Sequence, residues 1–499
     1  TLCSEWEASS LAQQVISESG GGKRVVSQFL KKLPRLKMAS VIEEFSDPSY
    51  KDLLPFFRKY QQRLRHLGML DLDDLETEAL RLFQRHPDVC LEYARRLPKI
   101  FVDEYQDTNP IQVELLKILV QSGSGPICAI GDPDQAIYGF RGANVRNFHR
   151  FAEDFPGAKK LALSRNYRSS RVILHGSSAL MGREKPLEGN REGGGPILIT
   201  SCGTPSEEAE MIVEQIERLL GGTTYFSLDS GRVSSHEEGE NFNFGDIAVL
   251  FRLNSQGDAL EEALKRAGIP FIRSGEKSLI RRYPIHIIWR FFQALRNPES
   301  PYHLETYLDL PDMKRVKGEK ILRQFEVKSS LTDLIGCAVA LHEFDCSSEE
   351  SVEALRRLNE IAGNFNGDLA SFMDTLSLER GIDHAGLSGD RVALMSLHAA
   401  KGLEWPVVFI IGCEDGLIPC SLFGGRDDGE EKRLLYVGMT RARLKLILSR
   451  TSRRMINGRM LPIGPSPFLG LIPEELCRPL ERAGWKRKAK AHKQLDLFK

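Results

Sequence analysis

Two short apolar segments that end in acidic residues constrain the fold of this chain more than any other feature of its sequence. Ile100–Val102 runs directly into Asp103–Glu104, and Pro126–Ile130 runs into Gly131–Asp132. Between them, residues 111–120 carry apolar side chains at helical spacing. The order strand, helix, strand predicts an open parallel sheet. Ligands of such sheets bind at the carboxyl ends of the strands, which is where these acids lie.

Further strands are predicted later in the chain. Residues 195–199 and 246–251 have the composition of buried strands, with an amphipathic helix over 207–220 between them. After Ile272 only helical spacing is found for more than a hundred residues, and strand patterns return at 392–395, 407–411 and 444–448. We therefore expect an α/β fold with two parallel-sheet domains, the first incomplete, and with helical insertions.

These changes of pattern predict the boundaries of six segments. They are a helical part of the first half (1–96), the remainder of the first sheet domain (97–162), the first part of the second sheet domain (163–279), a short helical insertion (280–386), the second part of the second sheet domain (387–475) and a basic flexible tail (476–499). Residues 228–243, which are rich in Ser, Gly, Glu and Asn, predict an exposed loop.

Composition excludes several classes of protein. Lys plus Arg and Asp plus Glu number 68 each, so there is no overall basic field, although a neutral total can hide a basic groove. The nine cysteines form no CxxC pair, which disfavours a zinc site or a disulfide framework and favours a reducing cytoplasm. No apolar run could span a bilayer, and no export signal is visible after Thr1, so we expect no membrane association.

The acidic pair Asp103–Glu104 is the arrangement that a nucleotide hydrolase needs. One carboxylate can hold Mg²⁺ while its neighbour orients or deprotonates the attacking water. An isolated acidic pair is more often a solvated turn, but here Val102–Asn109 is followed at the next strand end by Gly131–Ala143. The two strings together favour the functional interpretation.

With these strings the chain resembles the UvrD/Rep family of superfamily 1 DNA helicases, and the resemblance covers roughly residues 50 to 450. Four further strings match that family's motifs in order: Leu70–Leu75, Leu163–Ser169, Met395–Glu404 and Leu435–Ala442. The resemblance implies two RecA-like domains with ATP and Mg²⁺ in the cleft between them. It also implies 3′-to-5′ movement along single-stranded DNA. The expected substrates are single-stranded and junction DNA, in repair or replication.

The resemblance also implies roles in nucleotide binding and hydrolysis. Asp103 would ligate Mg²⁺, Glu104 would position the hydrolytic water, and Gln106 and Gln135 would sense the γ-phosphate. From the second domain, Tyr167 would stack on adenine, Arg168 and Arg441 would reach the γ-phosphate, and Gly402 and Glu404 would lie in the same nucleotide site. A fixed guanidinium suits this role because it neutralises charge that spreads over the phosphoryl oxygens.

For single-stranded DNA, the resemblance points to Tyr138, Phe140, His398 and Lys401. Aromatic rings offer base stacking that tolerates any sequence. The family often has Trp where Phe140 stands, and the smaller ring of Phe predicts weaker stacking. The alternative for His398 is a polar residue at the end of a strand.

One expected motif is absent from these 499 residues. Helicases of this family need an upstream GxxxxGK[ST] loop that cradles the phosphates, and no such string occurs here. Ser19–Arg24 contains three glycines and a Lys, but no strand precedes it and Arg24 replaces the required hydroxyl. Either the chain is the C-terminal portion of a longer helicase, or it is a paralogue that has lost hydrolysis. In the first case, which we favour, we expect these residues alone to bind ATP poorly.

Two other functions compete with the motor. A DNA-binding or clamp-bound scaffold without hydrolysis is compatible with the absent loop, and a nuclease fusion would need a metal site outside this chain. The tail from Arg478 to Lys499 carries eight Lys or Arg and two acids. It ends in a peptide that resembles the bacterial sliding-clamp motif, with Gln494, Leu495, Leu497 and Phe498 as the contact residues; the alternative is an ordinary frayed terminus.

Overall fold

The computed structural model describes residues 2–42, 50–123, 125–183, 185–221, 242–274, 279–308, 330–342, 344, 347–377, 389–422, 427–456 and 459–480. Most of the loop predicted at 228–243, and all of the tail from 481 with its clamp-like peptide, lie outside these residues. The chain divides into two compact units. Unit 1 comprises Thr1–Leu161 and Gly275–Ser388, and unit 2 comprises Ala162–Ser274 and Gly389–Lys499.

The α-helices of the described residues follow in chain order: α1 (Glu5–Glu18), α2 (Lys23–Ile42), α3 (Leu54–His66), α4 (Leu72–Arg85), α5 (Pro87–Arg95), α6 (Pro110–Gln121), α7 (Val145–His149), α8 (Phe151–Asp154), α9 (Arg171–Leu180), α10 (Pro205–Leu219), α11 (Gly257–Arg266), α12 (Ile285–Arg296), α13 (Pro301–Leu308), α14 (Leu331–His342), α15 (Glu349–Ala362), α16 (Leu369–Ser377) and α17 (Asp428–Met439).

The β-strands of the described residues are β1 (Ile100–Val102), β2 (Ile127–Ala129), β3 (Arg165–Ser170), β4 (Glu188–Arg191), β5 (Ile197–Cys202), β6 (Ile247–Phe251), β7 (Phe271–Arg273), β8 (Val392–Ser396), β9 (Trp405–Ile410), β10 (Ala442–Thr451), β11 (Arg453–Ile456), β12 (Arg459–Pro462) and β13 (Cys477–Pro479).

The first hundred residues are helical, as their apolar spacing predicts. Helices α1, α2 and α3 bury a common core in unit 1, with Phe29 of α2 packed edge-on against Tyr60 of α3 at 5.7 Å between ring centroids. Helix α1 begins at a capping box in which the Ser4 hydroxyl accepts the Glu7 amide at 3.3 Å. Apolar residues on one face of each helix therefore fix this part of unit 1.

A buried ion cluster joins α2, α3 and α4. Asp71 is the N-cap of α4 and accepts the Asp74 amide at 3.1 Å and the Tyr60 hydroxyl at 2.9 Å. The Lys37 ammonium from α2 is 1% exposed and lies against both carboxylates, 2.6 Å from Asp74 Oδ1. The acidic string at 70–75 therefore forms the start of α4, and two of its buried carboxylates form ion pairs with Lys37 of α2.

The helical insertion belongs to unit 1. Helices α12 to α16 form their own apolar core, and α12 also contacts α1. The Gln293 amide donates to the buried Glu7 carboxylate at 2.5 Å, and the Arg290 guanidinium lies 4.9 Å from the centre of the Trp6 ring. Burial raises the pKa of the Glu7 carboxyl, which the hydrogen bonds from Ser4 and Gln293 partly offset.

The predicted parallel pair of unit 1 is confirmed. Strand β1 pairs with β2 in parallel, with Phe101 opposite Cys128, and α6 provides the crossover between them. The Ile130 amide donates to the Val102 carbonyl at 2.8 Å, which extends the pairing to the residues that precede the acids. This register brings the carboxyl ends of both strands to one edge of the sheet.

Unit 2 contains a seven-stranded parallel sheet in the order β13-β5-β10-β9-β6-β8-β7. All five residues of the interior strand β6 are buried, as expected for a parallel strand covered on both faces. Strands from both sides of the insertion pair directly, since β6 lies between β8 and β9. The expectation that the second sheet resumes after the insertion is therefore confirmed.

A second buried ion cluster fixes the β11–β12 hairpin to this sheet. Arg454 of β11 donates to Glu414 at 2.6 Å and to Glu208 of α10 at 2.7 Å, and all three side chains are less than 10% exposed. The Ser449 hydroxyl also donates to Glu208 at 2.7 Å. Burial raises the pKa of the Glu208 carboxyl, which the nearby guanidinium partly offsets.

Among the described helices, none combines the length and the apolar character that crossing a bilayer requires.

The Lys37 cluster gives a first prediction. Replacing Lys37 by Met leaves two buried carboxylates without their cation, and we expect the free energy of unfolding to fall by about 3–5 kcal/mol in urea titrations. Lys31→Met, at an exposed position of the same helix, should change it by less than about 0.5 kcal/mol. Adding Asp71→Asn and Asp74→Asn should restore most of the loss, because Asn also caps a helix. Equal effects of the two Lys substitutions would contradict this account.

His303 of α13 gives a prediction for pH. It is fully buried, neither ring nitrogen has a hydrogen-bond partner among the described residues, and burial lowers its pKa from 6.5 to about 4. Between these values the unfolded chain binds a proton that the folded chain does not, so stability falls as the pH drops through this window.

We expect His303→Leu to reduce the fall in unfolding free energy between pH 7 and pH 4 by up to about 3 kcal/mol, measured by denaturant titration at each pH. At pH 7 and above, the titration of His303 contributes almost nothing to the difference in unfolding free energy between the wild type and the variant, because the imidazole is mostly neutral in both states. The exposed His66 provides the control, since His66→Asn should leave the pH profile unchanged. A profile that His303→Leu does not alter would contradict the prediction.

Candidate functional site

The acidic pair lies at the carboxyl end of β1. Both Asp103 and Glu104 are exposed, and the Glu104 amide donates to the Asp103 carboxylate at 2.9 Å. Glu104 adopts a left-handed backbone conformation, with φ of 51°, which is uncommon for a residue other than glycine. Such conformations are costly and concentrate at functional sites. The strand end therefore presents two accessible carboxylates in a fixed, strained turn.

A buried amide connects this turn to the end of β2. The Gln106 side chain is fully buried, donates to the Glu104 carboxylate and accepts the Asp132 amide at 3.1 Å. The Asp132 carboxylate in turn accepts the Gln135 side-chain amide at 3.1 Å. A side chain at Gly131 would meet the Gln106 amide oxygen at 2.2 Å and would displace it from this network. The structure thus brings the carboxylates and both predicted glutamines of unit 1 into one network.

Two aromatic side chains follow this network directly. The Phe140 ring is 54% exposed and lies 6.1 Å from the Tyr138 ring. The Arg141 guanidinium lies over both rings, 5.8 Å from the centre of Tyr138 and 5.7 Å from the centre of Phe140. Helix α2 supports this turn, because Arg35 donates to the Gly139 carbonyl at 3.1 Å. We call residues 138–141 the aromatic turn. Flat rings beside a cation can hold both a base and its phosphate.

In unit 2, the predicted site residues gather near the amino ends of β9 and β10. Arg168 of β3 donates from Nε to Glu404 Oε2 at 2.5 Å, and the other carboxylate oxygen lies 3.9 Å from Arg443 Nε. Tyr167, next to Arg168, is 65% exposed. One carboxylate therefore lies between two guanidinium groups, beside an accessible aromatic ring.

Arg441 lies close by but is buried. It is 1% exposed, and its guanidinium donates to the carbonyls of Val437 and Leu403 at 3.0 and 3.2 Å and to the Thr440 hydroxyl at 3.3 Å. The backbone oxygens that hold it belong to the end of α17 and to the residue before Glu404. Its predicted contact with a γ-phosphate stays a prediction.

The remaining predicted residues lie in the segment that connects β8 to β9. His398 and Lys401 are half-buried in one turn, in which the Lys401 amide donates to the His398 carbonyl at 3.3 Å. Gly402 follows with φ of 85°, a conformation that favours glycine, and Glu404 ends the segment. The same segment thus carries the predicted DNA contacts and the carboxylate between the two arginines.

Comparison with known proteins finds matches to one helicase family along most of the chain. The UvrD/REP helicase N-terminal domain matches residues 9–156, and the UvrD-like helicase C-terminal domain matches 161–343 and 338–453. ATP-dependent DNA helicase UvrD1 of Mycobacterium tuberculosis (strain ATCC 25618 / H37Rv) is 31% identical over 91% of this chain and 67% of its own length. DNA helicase II of Escherichia coli (strain K12) is 29% identical over 87% of this chain and 67% of its own length.

The chain belongs to the UvrD/Rep helicase family. A third relative, ATP-dependent DNA helicase PcrA of Staphylococcus epidermidis (strain ATCC 12228 / FDA PCI 1200), is 28% identical over 84% of this chain and 64% of its own length. The chain thus spans about two thirds of the length of these relatives. Its parallel sheets are the RecA-like sheets of UvrD-like helicase domains, as the sequence motifs predict.

The glycine-rich segment near the start of this UvrD/Rep family member connects two helices. Gly20 ends the turn after α1, and α2 begins at Lys23, so the segment follows a helix and not a strand. A phosphate-binding loop in this fold connects a strand to a helix. The interpretation of this segment as a structural loop agrees with its position.

Sequence reasoning missed a basic stripe on α2. The helix carries six Lys or Arg and no Asp or Glu. Arg24, Lys31 and Arg35 are exposed at spacings of seven and four, which places them on one helix face, opposite the buried Phe29 and Leu33. Within the described part of the chain, none of the three has a carboxylate at ion-pair distance. Counting charge helix by helix, and not over the whole chain, would have identified it.

Proposed function

We propose that this chain is the motor portion of an ATP-dependent DNA helicase that moves 3′ to 5′ along single-stranded DNA. The polarity and the action on single-stranded and junction DNA in repair or replication are proposed by analogy with the UvrD/Rep family. The observation that carries the proposal is the network at the sheet edge of unit 1, where Gln106 connects Glu104 to Asp132 and Gln135. A buried amide between two strand ends can transmit a change at one end to the other.

The exposed strand end fits a magnesium nucleotide. Mg²⁺ prefers a few carboxylate oxygens together with water and phosphate oxygens, and Asp103 offers such an oxygen at an accessible edge. When bound, ATP with Mg²⁺ would supply the free energy of phosphoanhydride hydrolysis. Asp103 would hold the metal, and Glu104 would orient the attacking water and accept its proton.

Unit 2 would supply positive charge to the phosphates. Arg168 and Arg441 are the proposed γ-phosphate contacts, Tyr167 the proposed stacking partner of adenine, and Glu404 and Gly402 part of the same site. A guanidinium held by a protein stabilises charge on phosphoryl oxygens because it needs no reorganisation at the moment of reaction. The accessible Tyr167 ring beside Arg168 supports this assignment.

DNA binding is proposed for the aromatic turn, for the turn with His398 and Lys401, and for the basic stripe of α2. The stripe reaches the aromatic turn through the Arg35 hydrogen bond to Gly139. Cations along a helix face suit a phosphodiester backbone, and the rings suit its bases. Unit 1 therefore combines sequence-independent charge contacts with stacking.

Two parts of the proposal rest on sequence alone. Because residues 1–499 contain no GxxxxGK[ST] string, we expect these residues by themselves to hydrolyse ATP slowly, and a DNA-bound or clamp-bound scaffold without hydrolysis is the second candidate function. The peptide at Gln494–Phe498 is proposed to bind the bacterial sliding clamp, joined to the motor by the basic tail.

Nucleotide binding provides a test of the roles in unit 1. We expect the 499-residue chain to bind ATP more tightly with Mg²⁺ than in EDTA, measured by displacement of a fluorescent ATP analogue. Asp103→Asn should remove about a tenfold advantage of Mg²⁺, which corresponds to one charged contact. Glu104→Gln should retain it and abolish any residual turnover, and Asp88→Asn, at an exposed helix position, is the control. Weak binding is itself expected without the phosphate loop, so the motor proposal is overturned, and the scaffold favoured, if Mg²⁺ does not strengthen the binding of ATP to the wild-type chain.

Salt dependence of DNA binding tests the α2 stripe. The combined variant is Arg24→Gln, Lys31→Gln and Arg35→Gln, and affinity is measured on an oligo(dT) strand. We expect the negative slope of log affinity against log salt to become shallower by about 2, since each single-strand phosphate contact contributes about 0.7. Phe140→Ala should weaken binding by about 1–3 kcal/mol with the slope unchanged.

The matched control removes three charges that already face carboxylates in unit 2: Arg218→Gln, Lys265→Gln and Arg266→Gln. It should leave the slope as in the wild type. If the two triple variants behave alike, the stripe has no specific part in DNA binding.

A further inference from the structure

Arg443 faces the same carboxylate as Arg168. Glu404 directs Oε2 to Arg168 Nε at 2.5 Å and Oε1 toward Arg443 Nε at 3.9 Å. The Arg443 Nε atom is buried and has no hydrogen-bond partner among the described residues. The rest of its side chain is 35% exposed, close to the 33% of Arg168. Arg443 is therefore a cation near a carboxylate that another cation already occupies.

The local charges do not balance. Arg168 and Arg443 both lie beside Glu404, which is the only carboxylate within ion-pair distance of either of them in the described part of the chain. Two guanidinium groups with one carboxylate leave an excess of positive charge. Such an excess attracts a polyanion, and a triphosphate is the polyanion that the proposed function supplies.

We propose that Arg443 is a positioning residue that takes over Glu404 when Arg168 turns toward the terminal phosphate of a bound nucleoside triphosphate. In the structure, Arg168 is held by Glu404 and cannot at the same time direct its Nε to a phosphate. If Arg168 left, the carboxylate would face the incoming phosphates unpaired. Arg443 closes the distance from 3.9 Å and forms the hydrogen bond that it lacks.

The exchange has a simple energetic reason. Moving Arg168 from a carboxylate to a phosphate replaces one charged contact by another, so the gain is small unless the carboxylate also finds a new partner. A second guanidinium beside the same carboxylate provides that partner at little cost. The inference rests on the proposed nucleotide function, and it adds a residue to which the UvrD/Rep motifs assign no role.

The test compares ATP with ADP, because only ATP offers the terminal phosphate. Affinities of the 499-residue chain for each nucleotide are measured with Mg²⁺ by displacement of a fluorescent ATP analogue. We expect Arg443→Gln and Arg168→Gln each to lower the affinity for ATP by about tenfold while leaving that for ADP nearly unchanged. Arg450→Gln, on the same strand β10, is the control and should behave as the wild type.

A rescue variant separates positioning from direct binding. Adding Glu404→Gln to Arg443→Gln releases Arg168 from its carboxylate, so the preference for ATP should return. Because Glu404 is itself assigned to the nucleotide site, the reference is Glu404→Gln alone, and rescue means that the double variant prefers ATP over ADP as strongly as this single variant. A weaker preference in the double variant would mean that Arg443 contacts the nucleotide itself and would overturn the exchange. An Arg443→Gln variant with wild-type ATP affinity would overturn it as well. A wild-type chain that binds ATP no more tightly with Mg²⁺ than in EDTA would instead overturn the proposed function on which the inference rests.

Discussion

Charged side chains that are removed from water need partners, and this constraint organises both units. In unit 1, Lys37 forms ion pairs with the two carboxylates that start α4, and Tyr60 donates to one of them, so three helices are joined. In unit 2, Arg454 does the same for Glu208 and Glu414, and it holds a hairpin against the sheet. An unpaired charge in either place would cost several kcal/mol, which is the reason that each buried cation lies at ion-pair distance from carboxylates.

The candidate sites differ from these clusters because their charges are accessible or incompletely satisfied. Asp103 and Glu104 lie at an exposed strand end, and Glu404 is shared by two guanidinium groups at unequal distances. Charges of this kind can exchange partners when a ligand binds, because they are still in contact with water and the exchange changes their hydration little. The rigid clusters position the helices and strands, and the accessible charges provide the chemistry that we propose.

Much of the fold could be predicted from local pattern. The apolar runs that end at Asp103 and Asp132 form parallel strands, because short apolar runs separated by a helical segment have few other solutions. The strands on both sides of the insertion were also predicted, and they pair within one sheet. The packing of the insertion was not predictable, because the contact of Gln293 with Glu7 joins residues 286 positions apart and leaves no local signal.

The sequence by itself determined the family and the order of the main strands and helices, and it pointed to the candidate site residues, because these depend on local composition and on motifs of a few residues. Only the tertiary structure decided which charges neutralise one another. It placed Arg443 beside Glu404, buried Arg441 among backbone oxygens and set the basic stripe of α2 against the aromatic turn. Such pairings depend on distances between segments far apart in the chain, and those distances are fixed only when the cores close.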